Sequence, residues 1–143
     1  MSQPLENIDI KLEHISSLLA SKYDNLLFEK LGISYSQYKV LVQFRESSII
    51  RQNIIAKGLG QTEASITRQL HILNSKGLIS KSYDPKNRKV RVVTLTRLGR
   101  KIKLAAENII IKQNYSLFNN NPILLNDLNM LHSSLCEVDK HNY

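Results

Sequence analysis

Side chains suited to reading the edges of DNA bases are concentrated in one short stretch of the sequence. Arginine forms paired hydrogen bonds with guanine and glutamine does so with adenine, and this stretch carries Arg68 directly before Gln69. Small residues such as Ser65 would let a helix backbone approach the major groove closely. The stretch therefore offers hydrogen bonding to nucleic acid rather than bond-making chemistry. Its hydrogen-bonding side chains are Thr62, Ser65, Thr67, Arg68, Gln69 and His71.

Residues that would support catalysis, metal binding or redox sensing form no comparable pattern. The sequence contains no nucleophile motif, glycine-rich phosphate loop or dense carboxylate cluster, so we expect no enzyme activity and no cofactor. His132 and Cys136 stand four residues apart, but a zinc site needs three or four ligands, and only Asp139 and His141 lie near in sequence. Because Cys136 is the only cysteine and free cysteines are often buried and inert, we expect neither a metal site nor a redox switch.

Helical spacing predicts the elements that position the hydrogen-bonding strip. A short helix is predicted at about 51–57, followed by Gly58-Leu59-Gly60 and by a second helix at about 62–76. Apolar residues recur every three or four positions in the second helix, which gives it one buried face. Two short helices joined by a glycine-containing turn are typical of a helix-turn-helix, although similar helical hairpins occur in bundles that bind nothing.

After Gly77 the pattern changes from helix to strand. Residues 78–83 and 90–95 are rich in β-prone side chains, and Pro, Asn and Asp in the segment 84–89 mark a turn. This pattern predicts a β-hairpin with a basic tip. The candidates for DNA contact at the tip are Lys86, Arg88 and Lys89, and the candidates for contact with the DNA backbone elsewhere are Gln52, Lys57 and Lys76.

Long helices with an apolar seam of seven-residue period are predicted at both ends of the chain. The first covers residues 5–30, and the last begins at Pro122, after a helix from about Thr96 to Phe118. Ser34-Tyr35-Ser36-Gln37 is a capping box that begins another helix. The seam could pack within one monomer, but its length and regularity favour a partner chain. The candidate dimerisation residues are Leu5, Leu12, Leu19, Leu128, Leu131 and Leu135.

Positive charge is concentrated in a small part of the chain. Residues 68–103 contain eleven Lys/Arg and one Asp, whereas the whole chain has a formal net charge of +8. A solvated helix face normally mixes both signs, so this concentration indicates a surface for a polyanion, with solubility as the alternative explanation. The composition is that of a globular protein, no apolar stretch reaches the roughly 18 residues that cross a membrane, and the single cysteine fits a reducing cytoplasm.

Taken together, these motifs resemble the MarR family of bacterial and archaeal regulators, over about residues 30–100 by motif and over the whole chain by helix order. The resemblance implies a triangular homodimer with terminal helices at its dimerisation base. It further implies two winged domains that read a pseudo-palindrome, and a small-ligand or redox pocket between the two parts. The segments that carry the resemblance are Gly32-Ile33-Ser34-Tyr35-Ser36-Gln37, the helix pair, Lys76-Gly77-Leu78-Ile79 and residues 84–99.

The hairpin departs from the family pattern at two positions. Asn87 stands where the family usually has Asp, and Lys89 stands where it usually has the Arg that enters the minor groove. Lysine is a compact, strongly hydrated ammonium that suits a narrow groove less well than arginine. Contact by the hairpin is expected, with Asn87 and Lys89 or Arg88 as the alternatives for the inserted side chain.

The sequence thus predicts a fold that is mainly α with a small β-hairpin wing, a winged helix-turn-helix with N- and C-terminal dimerisation helices. We expect one domain over residues 1–143, with its winged part at about 31–98 and its dimerisation helices at about 5–30 and 99–140. The expected partners are double-stranded DNA, a second copy of the chain and a small-molecule effector. The alternative is a nucleoid or RNA-binding protein without sequence preference, which lysines would serve better than the polar strip at 62–71.

The concentration of charge leads to a prediction about salt. If a dimer neutralises six to ten phosphates, the logarithm of the DNA association constant should fall against the logarithm of salt concentration with a slope of roughly −5 to −9. Fluorescence anisotropy titrations over a range of salt concentrations measure this slope. A slope shallower than about −2 would mean that residues 68–103 do not face DNA.

Overall fold

A computed structural model describes residues 7–140 of the chain, with side chains described through residue 138. Leu5 therefore lies outside the described residues. The element order is that of a winged helix, so the predicted fold class is confirmed. A 3₁₀ turn, Val42–Phe44, follows the second helix. Within the described range the elements are α1 (Ile8–Leu31), α2 (Tyr35–Leu41), β1 (Ile49–Arg51), α3 (Gln52–Leu59), α4 (Glu63–Ser75), β2 (Ile79–Asp84), β3 (Asn87–Leu95), α5 (Arg97–Phe118) and α6 (Pro122–Lys140).

Local hydrogen bonds explain where the predicted helices begin. The Ser34 hydroxyl accepts a hydrogen bond from the Gln37 amide at 3.0 Å, and the Gln37 side-chain oxygen accepts one from the Ser34 amide at 3.1 Å. These reciprocal bonds form the predicted capping box at the start of α2. Thr96 caps α5 by accepting from the Gly99 amide at 3.0 Å. Each cap satisfies backbone donors that the first turn of a helix leaves without partners.

The wing is a three-stranded antiparallel sheet with strand order β1-β3-β2. The sequence pattern predicted only the β2–β3 hairpin, and β1 was missed. Ile50 of β1 pairs with Val93 of β3, and Arg51 pairs with Val92. Because β1 contains three residues, it offers too little alternation for a strand to be recognised from the sequence.

Gly99 of the family-like motif permits a close approach between α5 and the start of the wing. A Cβ atom at this position would collide with the carbonyl oxygen of Leu78 and would lie 2.8 Å from Cδ1 of Leu95. Any side chain here would force α5 away from the end of the α4–β2 connection. The glycine is therefore required by packing rather than by its backbone angles.

The described chain divides into two compact units, one ending at Glu107 and the other beginning at Asn108, so that the boundary falls inside α5. In the first unit, α1 contributes Tyr23 and Leu27 to the core, whereas Leu26 of the predicted seam is only partly buried. The largest fully buried side chains of this unit are Leu27, Ile33, Val40, Leu41, Phe44, Ile55, Ile66, Leu70, Leu73, Ile79 and Val93.

Lys103 of α5 is buried and holds a strained segment before β1. Arg45 has φ 41° and ψ −119°, a conformation that residues other than glycine rarely adopt. The Lys103 ammonium donates a hydrogen bond to the Arg45 carbonyl oxygen at 3.3 Å and forms an ion pair with Glu107 at 3.1 Å. Lys103 was counted in the basic surface on sequence grounds, but its residue is only 8% exposed, so it does not contribute to that surface.

This arrangement predicts that Lys103→Met destabilises the protein by about 2 kcal/mol. The substitution keeps the aliphatic stem but leaves the Arg45 carbonyl and the Glu107 carboxylate without their charged partner. Urea unfolding followed by circular dichroism, at one fixed protein concentration, measures the change. Lys101→Met, an exposed position on the same helix, is the control and should change stability by less than about 0.5 kcal/mol. Equal stability of the two variants would contradict a structural role for Lys103.

Candidate nucleic-acid interface

A glycine turn and a threonine cap set the angle between α3 and α4. Gly60 ends α3 in the left-handed region at φ 61°, and the Gln61 amide then donates to the Ala56 carbonyl oxygen at 3.0 Å. Thr62 starts α4, because its hydroxyl accepts from the Ser65 amide at 3.2 Å. Ile55 of α3 is completely buried, which fixes the first helix against the core. The two helices thus form the predicted helix-turn-helix.

The outward face of α4 follows from the residues that anchor it. Ile66, Leu70 and Leu73 have no exposed surface, and a helix turns by about 100° per residue. Arg68 and His71 lie opposite this anchored side and are exposed. Their exposure agrees with the sequence-based expectation, and their contact with DNA stays a prediction.

The six residues expected to form one hydrogen-bonding strip are divided by the structure. The Thr67 hydroxyl donates to the Glu63 carbonyl oxygen at 2.7 Å and accepts from the side-chain nitrogen of Gln52 at 2.9 Å. Gln69 is partly buried, and its side-chain oxygen is enclosed without a hydrogen-bond partner in the described part of the chain. Ser65 donates its hydroxyl to the Gln61 side-chain oxygen at 3.2 Å. Thr67 and Gln69 therefore lie on the flanks of α4 rather than on its outward face.

The three candidates for backbone contact also have different environments. Gln52 is only 3% exposed, and its side chain donates a hydrogen bond to the Thr67 hydroxyl, which positions Thr67. The Lys76 ammonium donates to the Gly32 carbonyl oxygen at 2.6 Å and to the Gln37 side-chain oxygen at 3.0 Å, which ties the end of α4 to the α1–α2 corner. Lys57 is exposed at the end of α3. Of the three, Lys57 has the side chain most available to a ligand.

The basic wing residues occupy an irregular part of the hairpin. Tyr83 pairs with Arg91, but the next residue, Asp84, pairs with Asn87, so residues 88–90 have no partner on β2. The two-residue turn is 85–86, and Arg88 and Lys89 belong to β3 rather than to the tip where the sequence placed them. Their lack of partners on β2 follows from the register shift. Lys86, Arg88 and Lys89 are all exposed.

An ion pair formed by Asp84 joins the wing to the segment that leads into α3. Its carboxylate forms an ion pair with the Arg51 guanidinium at 3.2 Å and accepts from the Lys86 amide at 2.9 Å. Asn87, at the position where the family usually has Asp, accepts from the Lys89 amide at 3.2 Å. The acidic residue that stabilises this wing is thus Asp84, and Asn87 stabilises the bulge that residues 88–90 form on β3.

A cleft of about 410 Å³ lies between the start of α3, the start of α4 and strand β3. Sequence reasoning did not assign Asn53, Glu63 or Arg91, although all three are exposed and line it. Arg91 alternates with partly buried neighbours along β3, and Glu63 directly follows the residue that caps α4. These positions in the strand and the helix were the signals that the sequence offered. The lining residues are Gln52, Asn53, Glu63, Ala64, Thr67, Lys89, Val90 and Arg91.

Most of the eleven Lys and Arg side chains of residues 68–103 lie at the surface, although Lys103 is buried. Lys76 is committed to the hydrogen bonds of the α1–α2 corner. The remaining nine are exposed and create a positive field that attracts a polyanion. They are Arg68, Lys81, Lys86, Arg88, Lys89, Arg91, Arg97, Arg100 and Lys101.

Groups outside this surface offer little acid–base or metal chemistry. The Tyr35 ring is tilted against Tyr23 and stacked on Tyr38, with ring centroids at 5.3 and 5.9 Å. Burial raises the pKa of Tyr38 to about 12, with Glu107 adding to the effect, so its hydroxyl stays protonated near neutral pH. In the described range no three His, Cys, Asp or Glu side chains cluster to hold a metal ion, and the Cys136 sulfur lies 3.7 Å from Nε2 of His132. No helix among the described residues is long and apolar enough to span a membrane.

Comparisons with known proteins agree with this architecture. Residues 33–90 match the model of the MarR family. The chain is 28% identical over 90 residues to the uncharacterized HTH-type transcriptional regulator YdgJ of Bacillus subtilis (strain 168), a match covering 63% of this chain and 52% of that protein. The match thus spans about half the length of this relative.

Solved structures with a similar fold extend the agreement beyond the matched segment. CouR from Rhodococcus jostii RHA1, bound to p-coumaroyl-CoA, has a TM-score of 0.79 at 19% identity and covers 96% of this chain and 95% of that chain. A mutant MarR from E. coli, complexed with operator DNA, has a TM-score of 0.68 at 26% identity and covers 95% of this chain and 99% of that chain. The segment that contains the helix-turn-helix and the wing tip thus matches the MarR family, and the chain is similar in fold to a solved MarR protein.

Proposed function

We propose that the protein binds double-stranded DNA sequence-specifically, as a homodimer on a pseudo-palindromic operator, and acts as a ligand-responsive repressor. The observation that carries the proposal is the outward face of α4, where Arg68 and His71 are exposed beside a basic wing. In helix-turn-helix proteins the second helix enters the major groove, and its N-terminal residues contact base edges. The likeness to the E. coli MarR that is complexed with operator DNA supports the same docking here.

The proposal gives the cations different tasks. Arg68 projects from α4, where a guanidinium can form paired hydrogen bonds with guanine. Arg88 and Lys89 are displaced onto the wing and would contact phosphates or a narrow minor groove. Lys57 and Lys86 are exposed at the margins and would neutralise phosphates. Gln52 and Lys76 would hold α4 in position instead of touching DNA.

Apolar side chains on both terminal helices support the homodimer. On α1, Leu12 is 38% exposed and Leu19 is partly buried, and Ile8, Ile15 and Leu18 are exposed as well. Burying such surface against a second copy would be favoured by the hydrophobic effect. The exposed apolar side chains of α6 are Ile123, Leu124, Leu125, Leu128, Met130, Leu131, Leu135 and Val138.

A small-molecule effector is the third expected partner. The fold resembles that of CouR, which is bound to p-coumaroyl-CoA, and this likeness supports an effector for the present chain. In the proposed scheme the dimer occupies its operator and the effector changes operator affinity. The proposal places the protein in the cytoplasm, with the DNA.

The proposed homodimer is tested by adding a charge to the apolar seam of α6. Leu131→Glu should produce monomers and abolish operator binding, because an unpaired carboxylate cannot be buried in an apolar interface without a large cost. Light scattering at micromolar concentration measures the mass. Asn129→Glu, which adds the same charge on another side of α6, is the control and should remain dimeric. A monomeric mass for the wild-type protein at that concentration would contradict the proposed homodimer.

The DNA-binding proposal is tested by comparing a duplex selected from a randomised pool with a random duplex at one salt concentration. Arg68→Ala should relax base preference by about 1–3 kcal/mol while leaving much of the non-specific affinity. The double variant Arg88→Ala/Lys89→Ala should weaken binding to both duplexes and flatten the salt slope by about one or two units.

Three results would contradict these assignments. Equal wild-type affinity for selected and random duplexes would favour a nucleoid-type binder without sequence preference. No binding to either duplex would exclude the DNA-binding function altogether. A change of base preference within the half-site in the wing double variant, but not in Arg68→Ala, would reverse the assigned roles.

A further inference from the structure

One acidic side chain lies in the cleft between α3, α4 and the wing. Glu63 is the first residue of α4 and is exposed, and Lys89 and Arg91 line the same cleft from β3. Among the residues lining this cleft, Glu63 is the single carboxylate. A carboxylate at this place opposes the attraction of phosphates that the neighbouring cations provide.

The Glu63 carboxylate takes no part in capping α4. The start of α4 is capped by the Thr62 hydroxyl, and the third residue of the helix, which would complete a capping box, is Ser65 rather than an acid. Thr67 donates to the Glu63 backbone carbonyl, not to its carboxylate. Within the part of the chain whose side chains are described, the carboxylate has no hydrogen-bond or ion-pair partner. It is therefore available to a ligand.

The chemistry of the major groove restricts what this carboxylate can accept from. Phosphates repel it, so within the major groove its favourable partner is a donor on a base edge. Cytosine presents its N4 amino group, the standard partner of Glu and Asp, whereas adenine places the N7 acceptor beside its amino group. Guanine presents two acceptors and thymine an acceptor and a methyl group, so neither offers a donor to a carboxylate.

We propose that Glu63 is a specificity-determining residue whose carboxylate accepts a hydrogen bond from the N4 amino group of one cytosine in each half-site. The inference rests on the proposed function, because it requires α4 to lie in the major groove. Lys89 and Arg91 then hold the flanking phosphates, and their charges compensate for the acid. Guanine or thymine opposite Glu63 offers no donor and leaves the carboxylate desolvated without a partner, and adenine places its N7 acceptor against the carboxylate, so these bases are rejected.

The experiment selects binding sites from a pool of randomised duplexes with wild type, Glu63→Gln and Glu63→Ala. Wild type should select cytosine at one position of the half-site, by about tenfold or more over the other bases. Glu63→Gln should shift that preference towards adenine, since a glutamine amide pairs with the adenine edge. Glu63→Ala should level the preference at this position alone. Glu29→Gln, which removes the same charge from an exposed position on α1, should leave the selected sequence unchanged.

A simpler role would give a different result. An acid in the first turn also interacts favourably with the helix dipole, and losing that interaction lowers stability without changing base preference. If both Glu63 variants bind every duplex with the same proportional change and select the wild-type sequence, the inference is wrong while the DNA-binding function stands. If wild type selects no sequence at all, the proposed function fails and the inference with it.

Discussion

The candidate interface depends on how α4 is packed against the core. Ile66, Leu70 and Leu73 are completely buried, and each contributes on the order of 1.5–3 kcal/mol through the apolar surface it removes from water. Because these three positions fix the rotation of the helix, they also determine that Arg68 and His71 face outwards. A rotation by one residue would turn polar side chains into the core and aliphatic ones into solvent. The chemistry of the surface is thus a consequence of packing beneath it.

Buried and partly buried polar contacts refine this arrangement. The Gln52–Thr67 hydrogen bond joins α3 to the flank of α4, and the Lys76 ammonium joins the end of α4 to the α1–α2 corner. Such groups are costly to leave without partners, so alternative rotations of α4 are disfavoured more strongly than the modest net value of each bond suggests. Residues that appeared suited to contacting a ligand therefore position the residues that are exposed to it.

Local signals in the sequence predicted most of the fold. The capping box at Ser34, the cap at Thr96 and the spacing of apolar residues in α4 act over three or four residues, and the corresponding helices are present. The burial of Lys103 depends on its contacts with Glu107, one helical turn away, and with Arg45. Because Arg45 is far from Lys103 in sequence, no local pattern reveals that contact. Strand β1 likewise exists because β3 pairs with it, not because three residues prefer to be extended.

The same difference between local signals and long-range contacts applies to the candidate site. The strip at 62–71 and the basic wing were recognised from residue type, which predicts chemical capability. Which side of α4 each residue occupies depends on core packing, and the bulge that frees residues 88–90 depends on the pairing of β2 with β3. Glu63 belongs to no sequence pattern that marks it as a contact residue, and the cleft that it lines is formed only in the folded chain.

Strand β1 also has a consequence for operator architecture. It pairs with β3 of the wing, and its last residue, Arg51, is the residue that precedes α3. The wing and the helix-turn-helix are therefore joined by a hydrogen-bonded ladder rather than by a flexible linker. Under the proposed function, the distance between the bases contacted by α4 and the groove contacted by the wing is therefore fixed within each half-site. A base pair inserted between those two points would have to be absorbed by deformation of the DNA, whose stiffness depends on its own sequence.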